Sequence, residues 1–378
     1  MNDEHQSATG SSFIAHRSSF GRVAVIHDWL TGMRGGEHVL EGILDLVPDA
    51  EIFTLFHFRG SVSPKIESRT IHTSRLQGPA SRADDYRRLL PFFPGAVRAW
   101  DLSPFDLIVS SSHCVAKGVE TNGKPHACYC HTPMRYIWDR FDDYFPRSRP
   151  LRRLGASILA RRLRKWDVKT AAGVTRFAAN SNFVQDRIRK FYSRDSDVIH
   201  PFVDEAFLAA PLRDDRDDYH AIVSALVPYK RVELAIEAAG GRRLVIIGDG
   251  PQRPRLEHLA GPNVTFLGSV SREVVIERLA RARSLILPGV EDFGITPLEA
   301  MALGTPVVAL GAGGVLDTVI DRQTGILFQE PVVHSIRLAL EEVESQRWDR
   351  AALRRHAATF SRAQFHRQFG DILRQVVG

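Results

Sequence analysis

The sequence predicts an α/β protein in which two doubly wound, Rossmann-like domains face each other across a cleft. Three observations support this prediction. The chain has 378 residues, which is more than one hydrophobic core comfortably accommodates. Short apolar runs alternate with helical patterns twice along the chain, as in parallel sheets built from strand–helix–strand units. Glycines and polar residues follow several of these runs, at the strand ends where such sheets bind ligands.

The composition is typical of a globular protein, with 44% hydrophobic and 25% charged residues. No apolar stretch approaches the roughly 20 residues that cross a bilayer, so we expect a cytoplasmic protein. Residues 1–20 are rich in serine and predict a disordered tail. Three cysteines, Cys114, Cys128 and Cys130, favour buried thiols over a disulfide framework. The formal net charge of +6 favours an acidic partner without naming one.

The first domain is predicted over residues 21–205. It begins with a strand at 23–26 and a glycine-rich turn at 32–36, and a helix follows because five apolar residues recur on one helical face. They are Val39, Leu40, Ile43, Leu44 and Val47. Further strands are predicted at 52–56, 105–110, 126–130 and 176–179. Asp28 and His131 each follow a strand, so both are expected to point into the cleft.

The second domain is predicted over residues 206–359. An acidic stretch at 211–219 is interpreted as the linker that leads into it. Its strands are predicted at 221–226, 243–247, 264–267, 284–287, 306–310 and 325–328. A C-terminal helix at about 360–378 is expected to return to the first domain.

The segment 287–299, LPGVEDFGITPLE, combines a strand end, a glycine-containing turn and a helix start. Thr296 is predicted to cap this helix, with Pro297 at its first position. Free amides at such a turn attract phosphate. Glu291 before the turn and Glu299 in the first helical turn could then accept hydrogen bonds from sugar hydroxyls. The alternative is that Glu299 only complements the helix dipole and Glu291 is a solvated loop residue.

Lys230 follows the first strand of the second domain, where the opposite wall of the same crevice is expected. It could neutralise a diphosphate there, although a Lys-Arg pair at a helix start is also typical of solvated surface. The run Gly248-Asp-Gly250 follows the next strand without completing a dinucleotide fingerprint. Its glycines could still let a nucleotide approach the backbone closely.

His131 ends the run Cys128-Tyr-Cys-His, which resembles half of a zinc site. No second pair of Cys or His residues has metal spacing, so we expect no bound metal. Two interpretations of His131 stay open: a hydrogen-bonding residue of the cleft and a satisfied core histidine. The turn at 32–36 could meet either a phosphate or an acceptor sugar.

A basic segment lies between residues 147 and 170, with nine Arg or Lys residues and one acid, Asp167. Five apolar residues recur through it at helical spacing. They are Leu151, Leu154, Ile158, Leu163 and Trp166. Such a helix could lie on an anionic membrane surface. Equally, the apolar stripe could pack on the first sheet with the basic face in water.

Taken together, these motifs resemble the retaining glycosyltransferases of family 4, which have a GT-B fold. The resemblance rests on the spacing of Glu291 and Glu299, on AMALGTPVV directly after them, and on Gly313-Gly. It covers nearly the whole chain after the tail. Five motifs are more narrowly similar to bacterial mannosyltransferases that use GDP-mannose in O-antigen and exopolysaccharide assembly. They are HDWL at 27–30, RGGE at 34–37, CHTPMRYIWD at 130–139, VPYKR at 227–231 and EDFGITP at 291–297.

The resemblance implies that His131, Lys230 and Glu291 are the catalytic residues. Glu291 would hold the transferred sugar, Lys230 the diphosphate, and His131 the sugar near its reacting carbon. Glu299 would hold the nucleotide ribose. The other donor-side residues would be Gly35, Gly36, Arg231, Gly248, Gly250, Phe293, Gly294, Ile295 and Thr296. The acceptor-side residues would be Asp28, Glu37 and Arg135.

One position departs from the family pattern. Many members carry an arginine five residues before the lysine, where this chain has Ala225. One diphosphate contact is therefore either missing or supplied by Arg231.

The resemblance also implies front-face attack, in which a leaving phosphate oxygen takes the proton of the acceptor hydroxyl. No metal or other cofactor would be required. The implied partners are a nucleotide sugar, GDP-mannose in the first place, and a polyprenyl-diphosphate-linked glycan at the inner face of the cytoplasmic membrane. No nucleic acid partner is expected.

The alternatives are another nucleotide-sugar GT-B enzyme, such as a UDP-sugar transferase, an epimerase or a phosphorylase, and a non-catalytic nucleotide- or glycan-binding protein.

Overall fold

The computed structural model describes residues 20–78, 85–145, 150–213 and 215–378. Within these residues the chain forms two parallel sheets that are buried on both faces, which confirms the predicted α/β architecture. The predicted tail at 1–20 lies outside the described residues apart from Phe20.

The first sheet has seven strands. They are β1 (Val23–His27), β2 (Glu51–Thr54), β3 (Ile71–Thr73), β4 (Leu107–Ser112), β5 (His126–Cys130), β6 (Arg176–Ala179) and β7 (Asp197–Val198). Their order across the sheet is β3-β2-β1-β4-β5-β6-β7, and every paired strand is parallel to its neighbour.

The second sheet has six strands. They are β8 (His220–Val223), β9 (Leu244–Ile247), β10 (Val264–Gly268), β11 (Leu285–Leu287), β12 (Val307–Leu310) and β13 (Gly325–Phe328). Their order is β10-β9-β8-β11-β12-β13, again with parallel pairing, so the second sheet repeats the winding of the first.

Helices connect the strands of both sheets. In the first half of the chain they are α1 (Gly35–Leu46), α2 (Pro64–Glu67), α3 (Phe93–Val97), α4 (Phe141–Tyr144), α5 (Pro150–Ala171) and α6 (Asn182–Tyr192). In the second half they are α7 (Glu205–Ala209), α8 (Val232–Ala239), α9 (Arg253–Leu259), α10 (Arg272–Arg281), α11 (Ile295–Ala302), α12 (Val315–Thr318), α13 (Val333–Ser345), α14 (Arg350–Ala358) and α15 (Arg362–Val377).

Strand β1 is apolar along most of its length because both of its faces are covered. Val23 and Val25 pack in one core, whereas Ala24 and Ile26 pack in another on the opposite face of the sheet. The five apolar residues predicted to form the buried face of the first helix are each at most 1% exposed. The helical pattern in the sequence is therefore confirmed.

The chain crosses from the first sheet to the second next to Phe202, which packs in the core of the first domain, while Val203 packs in that of the second. The stretch 211–219 is not a linker in its described part, and this prediction is wrong. Tyr219 is 2% exposed, and Asp218 forms an ion pair with Arg283. The acidic residues thus meet arginines that are distant in sequence, which local composition does not reveal.

The C-terminal helix α15 lies against the first domain, next to α1 and β5. Phe365 and Phe369 are at most 1% exposed, and both ring centroids lie 5.6 Å from that of Tyr129 on β5. The last helix of the chain thus completes the core that β1 begins.

Candidate active site

Each sheet changes winding direction beside one pair of strands, β1 and β4 in the first sheet and β8 and β11 in the second. Crevices form at the carboxyl ends of such pairs. The loops beyond these strands meet between the domains. A Cβ atom on Gly35, after β1, would lie 3.1 Å from Cδ1 of Ile295, after β11. The two crevices therefore share one cleft.

Lys230 and Glu291 form an ion pair at the carboxyl ends of β8 and β11. Their side chains are only 15% and 13% exposed, which does not fit solvated surface charges. Gly289 allows this approach, because a Cβ at this position would lie 2.5 Å from the carbonyl oxygen of Tyr229. The sequence placed Lys230 and Glu291 on two walls of one crevice, and the structure brings them into contact.

Arg231 and Ala225 flank this ion pair in sequence, and both are exposed. Arg231 adopts a left-handed conformation, with φ of +54°. That conformation costs a non-glycine residue about 1–2 kcal/mol, so the surrounding chain imposes it. Backbone strain of this kind concentrates at binding loops.

Helix α11 begins at Ile295 and not at Pro297. Its N-terminal cap is Gly294, with φ of +86°, a conformation that favours glycine. The prediction that Thr296 caps the helix is wrong, because the left-handed turn at Gly294 lets the helix start at the next residue. Thr296 lies in the first turn, and Glu299 lies at the fifth helical position, two residues further along the helix than predicted.

Glu299 is half-buried on α11. Loss of water around its carboxyl group raises its pKa to about 7, and the positive potential of His38 offsets only part of this effect. Groups with strongly shifted pKa values concentrate at functional sites. The structure thus gives Glu299 an environment unlike that of a solvated helix residue.

Asp292, next to Glu291, joins the donor-side loop to the first domain. Its carboxylate forms ion pairs with Arg135 and, at 2.8 Å, with Arg187. Its backbone carbonyl accepts a hydrogen bond from the hydroxyl of Ser181. The side chains of Asp292 and Arg187 are 7% and 5% exposed, so removing either partner would leave a buried charge. Arg135, expected on the acceptor side, is therefore engaged in a contact between the domains.

His131 lies at the end of β5 on the wall of the cleft. Its Nε2 atom is 2.8 Å from Oγ of Ser111, and a Cβ on Gly36 would lie 3.8 Å from the same nitrogen. Burial lowers its pKa well below the ordinary value, so the ring is neutral at physiological pH. Because the side chain is only half-buried, His131 is not a core histidine.

Two carboxylates assigned to the acceptor side turn into the first domain. Asp28 is fully buried and accepts hydrogen bonds of 2.7–2.9 Å from the backbone N–H groups of residues 113–116. Glu37 is 4% exposed, accepts a hydrogen bond from the backbone of Arg34, and lies 3.5 Å from Nε2 of His27. The prediction that Asp28 and Glu37 face an acceptor is wrong, because groups of their own domain satisfy both.

Gly248 and Gly250 are explained by the packing of the second domain. A Cβ on Gly248 would lie 2.0 Å from the carbonyl oxygen of Ser224, and a Cβ on Gly250 would lie 2.5 Å from that of Leu226. The loops after β8 and β9 can approach each other only without these side chains. Backbone packing alone thus accounts for both glycines, and their placement with the donor remains a prediction.

Cys114, Cys128 and Cys130 are buried free thiols, as predicted. Burial raises the pKa of all three thiols, that of Cys128 to about 12. In the described ranges, no group of three or more His, Cys, Asp or Glu side chains is arranged to hold a metal ion.

The basic helix α5 divides its apolar residues between two environments. Leu163 is 3% exposed and Trp166 packs against the first domain, whereas Leu154 and Ile158 are 62% and 50% exposed. The apolar stripe thus packs only in the C-terminal half of the helix, and the side chain of Leu151 lies outside the described residues. In the part of the chain that the structure describes, no helix is both long and apolar enough to span a membrane.

Sequence reasoning missed His27 and Ser111, which contact the predicted site residues from the ends of β1 and β4. The sequence did carry a signal for both, because each is a polar residue near the end of a strand that begins with apolar residues. Sequence reasoning also missed the ion pair of Asp292 and Arg187. These residues are 105 positions apart, so no local sequence pattern links them.

Two family models match the chain. The one described as Glycosyltransferase Family 4 matches residues 53–207, and the one described as Glycosyl transferases group 1 matches residues 203–360. The matches meet where the chain crosses between the domains, so the first falls within the first domain, from residue 53 onward, and the second spans the second sheet.

Similar proteins include an alpha-D-kanosaminyltransferase of Streptomyces kanamyceticus, 33% identical over 41% of this chain and 45% of the relative. A GDP-mannose-dependent alpha-(1-6)-phosphatidylinositol dimannoside mannosyltransferase of Mycobacterium tuberculosis is 36% identical over 33% of this chain and 34% of the relative. Each match spans less than half the length of the relative.

Among solved structures, Anabaena Alr3699/HepE in complex with UDP superposes with a TM-score of 0.65. The superposition covers 94% of this chain and 100% of the other, at 18% sequence identity. At this identity the likeness concerns the fold alone, and it extends over both domains.

Proposed function

The chain belongs to the glycosyltransferases of family 4 with a GT-B fold, and from this membership we propose that it transfers a hexose from a nucleotide sugar to a hydroxyl of a glycan. The observation that carries the proposal is the ion pair of Lys230 and Glu291 in the cleft. A shielded pair of opposite charges suits a ligand that brings its own anion and its own hydroxyl groups. The anion can replace the carboxylate as the partner of Lys230, and the hydroxyl groups can donate hydrogen bonds to the carboxylate that Lys230 releases.

In this proposal the donor separates the ion pair. The diphosphate takes over Lys230, and hydroxyl groups of the sugar donate hydrogen bonds to Glu291. The first backbone amides of α11 have no partner within the helix, and those around residues 293–296 would bind the sugar and the diphosphate. Glu299, one turn further along α11, would accept hydrogen bonds from the ribose.

We propose that the reaction retains the configuration of the sugar. The acceptor oxygen bonds to the anomeric carbon on the face from which the diphosphate oxygen departs, and that departing oxygen takes the acceptor's proton. Lys230 and the amino end of α11 stabilise the negative charge that develops on the leaving group. These groups supply the positive charge that the step needs, and so the proposal includes no metal. His131 contacts the sugar near the reacting carbon.

The donor that we propose is GDP-mannose. Two things support it: the resemblance of the motifs at 27–37 and 130–139 to mannosyltransferases, and the GDP-mannose dependence of the relative from Mycobacterium tuberculosis. A UDP-sugar is the alternative, because the structural neighbour from Anabaena binds UDP.

The acceptor that we propose is a polyprenyl-diphosphate-linked glycan used in cell-surface polysaccharide synthesis, at the inner face of the cytoplasmic membrane. Support comes from α5, where exposed Leu154 and Ile158 share a helix face with exposed basic residues. These are Arg161, Arg162 and Lys165. Apolar and basic groups on one face favour binding to an anionic bilayer.

Release of nucleoside diphosphate from a panel of donors tests the proposed function. The wild-type chain should release GDP or UDP from one donor, with a glycan or water as acceptor. Glu291→Gln should lower this rate at least about 100-fold, because the substitution removes a charge from the transition-state environment. Glu237→Gln, on the exposed side of α8, is the matched control and should keep the wild-type rate.

Other outcomes would assign another function. Binding of GDP or UDP without release from any donor would indicate a binding protein. Interconversion of the sugar on its nucleotide would indicate an epimerase. Pyridoxal phosphate absorbance of the purified protein would indicate a phosphorylase.

A further inference from the structure

A row of polar side chains leads from the interior of the first domain to His131. Oε1 of Glu37 lies 3.5 Å from Nε2 of His27. Nδ1 of His27 lies 3.1 Å from Oγ of Ser111, and the same oxygen lies 2.8 Å from Nε2 of His131. The first three residues are at most 4% exposed, and only His131 reaches the cleft. We call these four side chains the His131 relay.

The carboxylate of Glu37 determines which group donates and which group accepts in each hydrogen bond of the His131 relay. Burial opposes its charge, but the contacts with His27 and with the backbone together outweigh this effect and lower the pKa of Glu37. An ionised carboxylate only accepts hydrogen bonds, so the ring nitrogen of His27 that faces it, Nε2, carries the proton, and Nδ1 is left to accept. Ser111 then donates its proton to His27. Its oxygen is left to accept a hydrogen bond from Nε2–H of His131.

The charged groups around the His131 relay leave these donor and acceptor roles unchanged. The ring centroid of His113 lies 6.3 Å from that of His27 and 6.4 Å from that of His131, beyond hydrogen-bonding distance. Burial above all, and the positive charge of Arg135 as well, disfavour protonation of His131.

We propose that Ser111 and His27 are positioning residues that hold His131 in one tautomer, with the proton on Nε2 and an unprotonated Nδ1 for the substrate. Within the described residues, Nδ1 of His131 has no hydrogen-bond partner. In the proposed transfer reaction, on which this last step rests, Nδ1 accepts a hydrogen bond from a hydroxyl of the bound sugar. Without Ser111, neutral His131 would populate both tautomers, and part of the protein would present an N–H group to that hydroxyl.

Nitrogen-15 NMR of the histidine rings tests the tautomer and needs no turnover. In the wild-type chain at neutral pH, His131 should show a protonated Nε2 and an unprotonated Nδ1. Ser111→Ala should move both nitrogen shifts toward the average of the two tautomers. Ser110→Ala is the matched control, because Ser110 is also fully buried on β4 and lies 2.8 Å from a different ring, that of His126. This variant should leave the His131 signals unchanged.

Steady-state kinetics tests the consequence for the reaction. Ser111→Ala should lower kcat about tenfold, the equivalent of one hydrogen bond, with the KM for the donor changed less than about twofold. Ser110→Ala should keep the wild-type kcat. A wild-type His131 that carries its proton on Nδ1, or equal nitrogen shifts in wild type and Ser111→Ala, would overturn the inference. If the NMR result is as expected and no donor is turned over, the tautomer assignment stands and the proposed function fails.

Discussion

Glu299 carries a carboxyl group whose ionised form the folded protein disfavours. Loss of water raises its pKa from the ordinary 4.5 to about 7. Between these two pH values the unfolded chain has released a proton that the folded chain still holds. The free energy of unfolding therefore falls as pH rises through this window, and the loss is complete above about pH 7.

Glu299→Gln should remove this loss, because the amide cannot ionise. The variant should be more stable than wild type at about pH 8 and gain much less at about pH 5. The side chain is partly open to water, so we expect a difference of about 1 kcal/mol, or about 2–4 °C in Tm. Thermal unfolding at the two pH values measures it, with Glu237→Gln as the exposed control. An equal difference in Tm at both pH values would contradict the assigned environment of Glu299.

At the scale of single residues, the sequence predicted which strand ends carry polar groups but not which way those groups turn. Lys230, Glu291 and His131 were found because each follows a strand, and all three lie at the cleft. Asp28 and Glu37 lie in the same kind of position and turn inward. The amides that satisfy Asp28 are 85–88 residues away in sequence, so no local pattern encodes its orientation.

At the scale of elements, long segments were predictable and short ones were not. β3 and β7 have three and two residues and form the two edges of the first sheet, too short for a hydrophobic period to emerge. The helix at 150–171 was predicted close to its observed bounds. Its burial was not predictable, because the partners of Leu163 and Trp166 belong to distant parts of the first domain.

The exposed face of α5 should bind anionic membranes. Replacing Arg161, Arg162 and Lys165 by Gln removes three charges from this face, each worth about 1 kcal/mol at an anionic surface. Partition onto vesicles with phosphatidylserine should fall about 100-fold, as measured by co-sedimentation.

A control for this experiment removes the same number of charges elsewhere. Arg255, Arg347 and Arg367 are exposed on other parts of the surface, and their replacement by Gln should leave most of the binding. Equal losses in the two triple variants would indicate general electrostatic attraction. Absence of wild-type binding would remove the membrane from the proposal.

At the scale of the whole molecule, the fold class was predictable because buried parallel strands leave continuous apolar runs. The placement of one domain against the other was not. It depends on Asp292, which pairs with Arg135 and Arg187 across the cleft, and on α15, which returns to the first sheet from the end of the chain. Such contacts join residues more than 100 positions apart, and only the folded chain brings them together.

The central claim is that this cleft transfers a hexose with retention of configuration. Proton NMR of the sugar released from an α-linked nucleotide sugar tests the claim most directly, with water as the acceptor so that no natural acceptor is needed. We expect the α-anomer to form first, together with the nucleoside diphosphate, and Glu291→Gln to suppress both products. First formation of the β-anomer, or a donor that stays intact with every nucleotide sugar tried, would contradict the account.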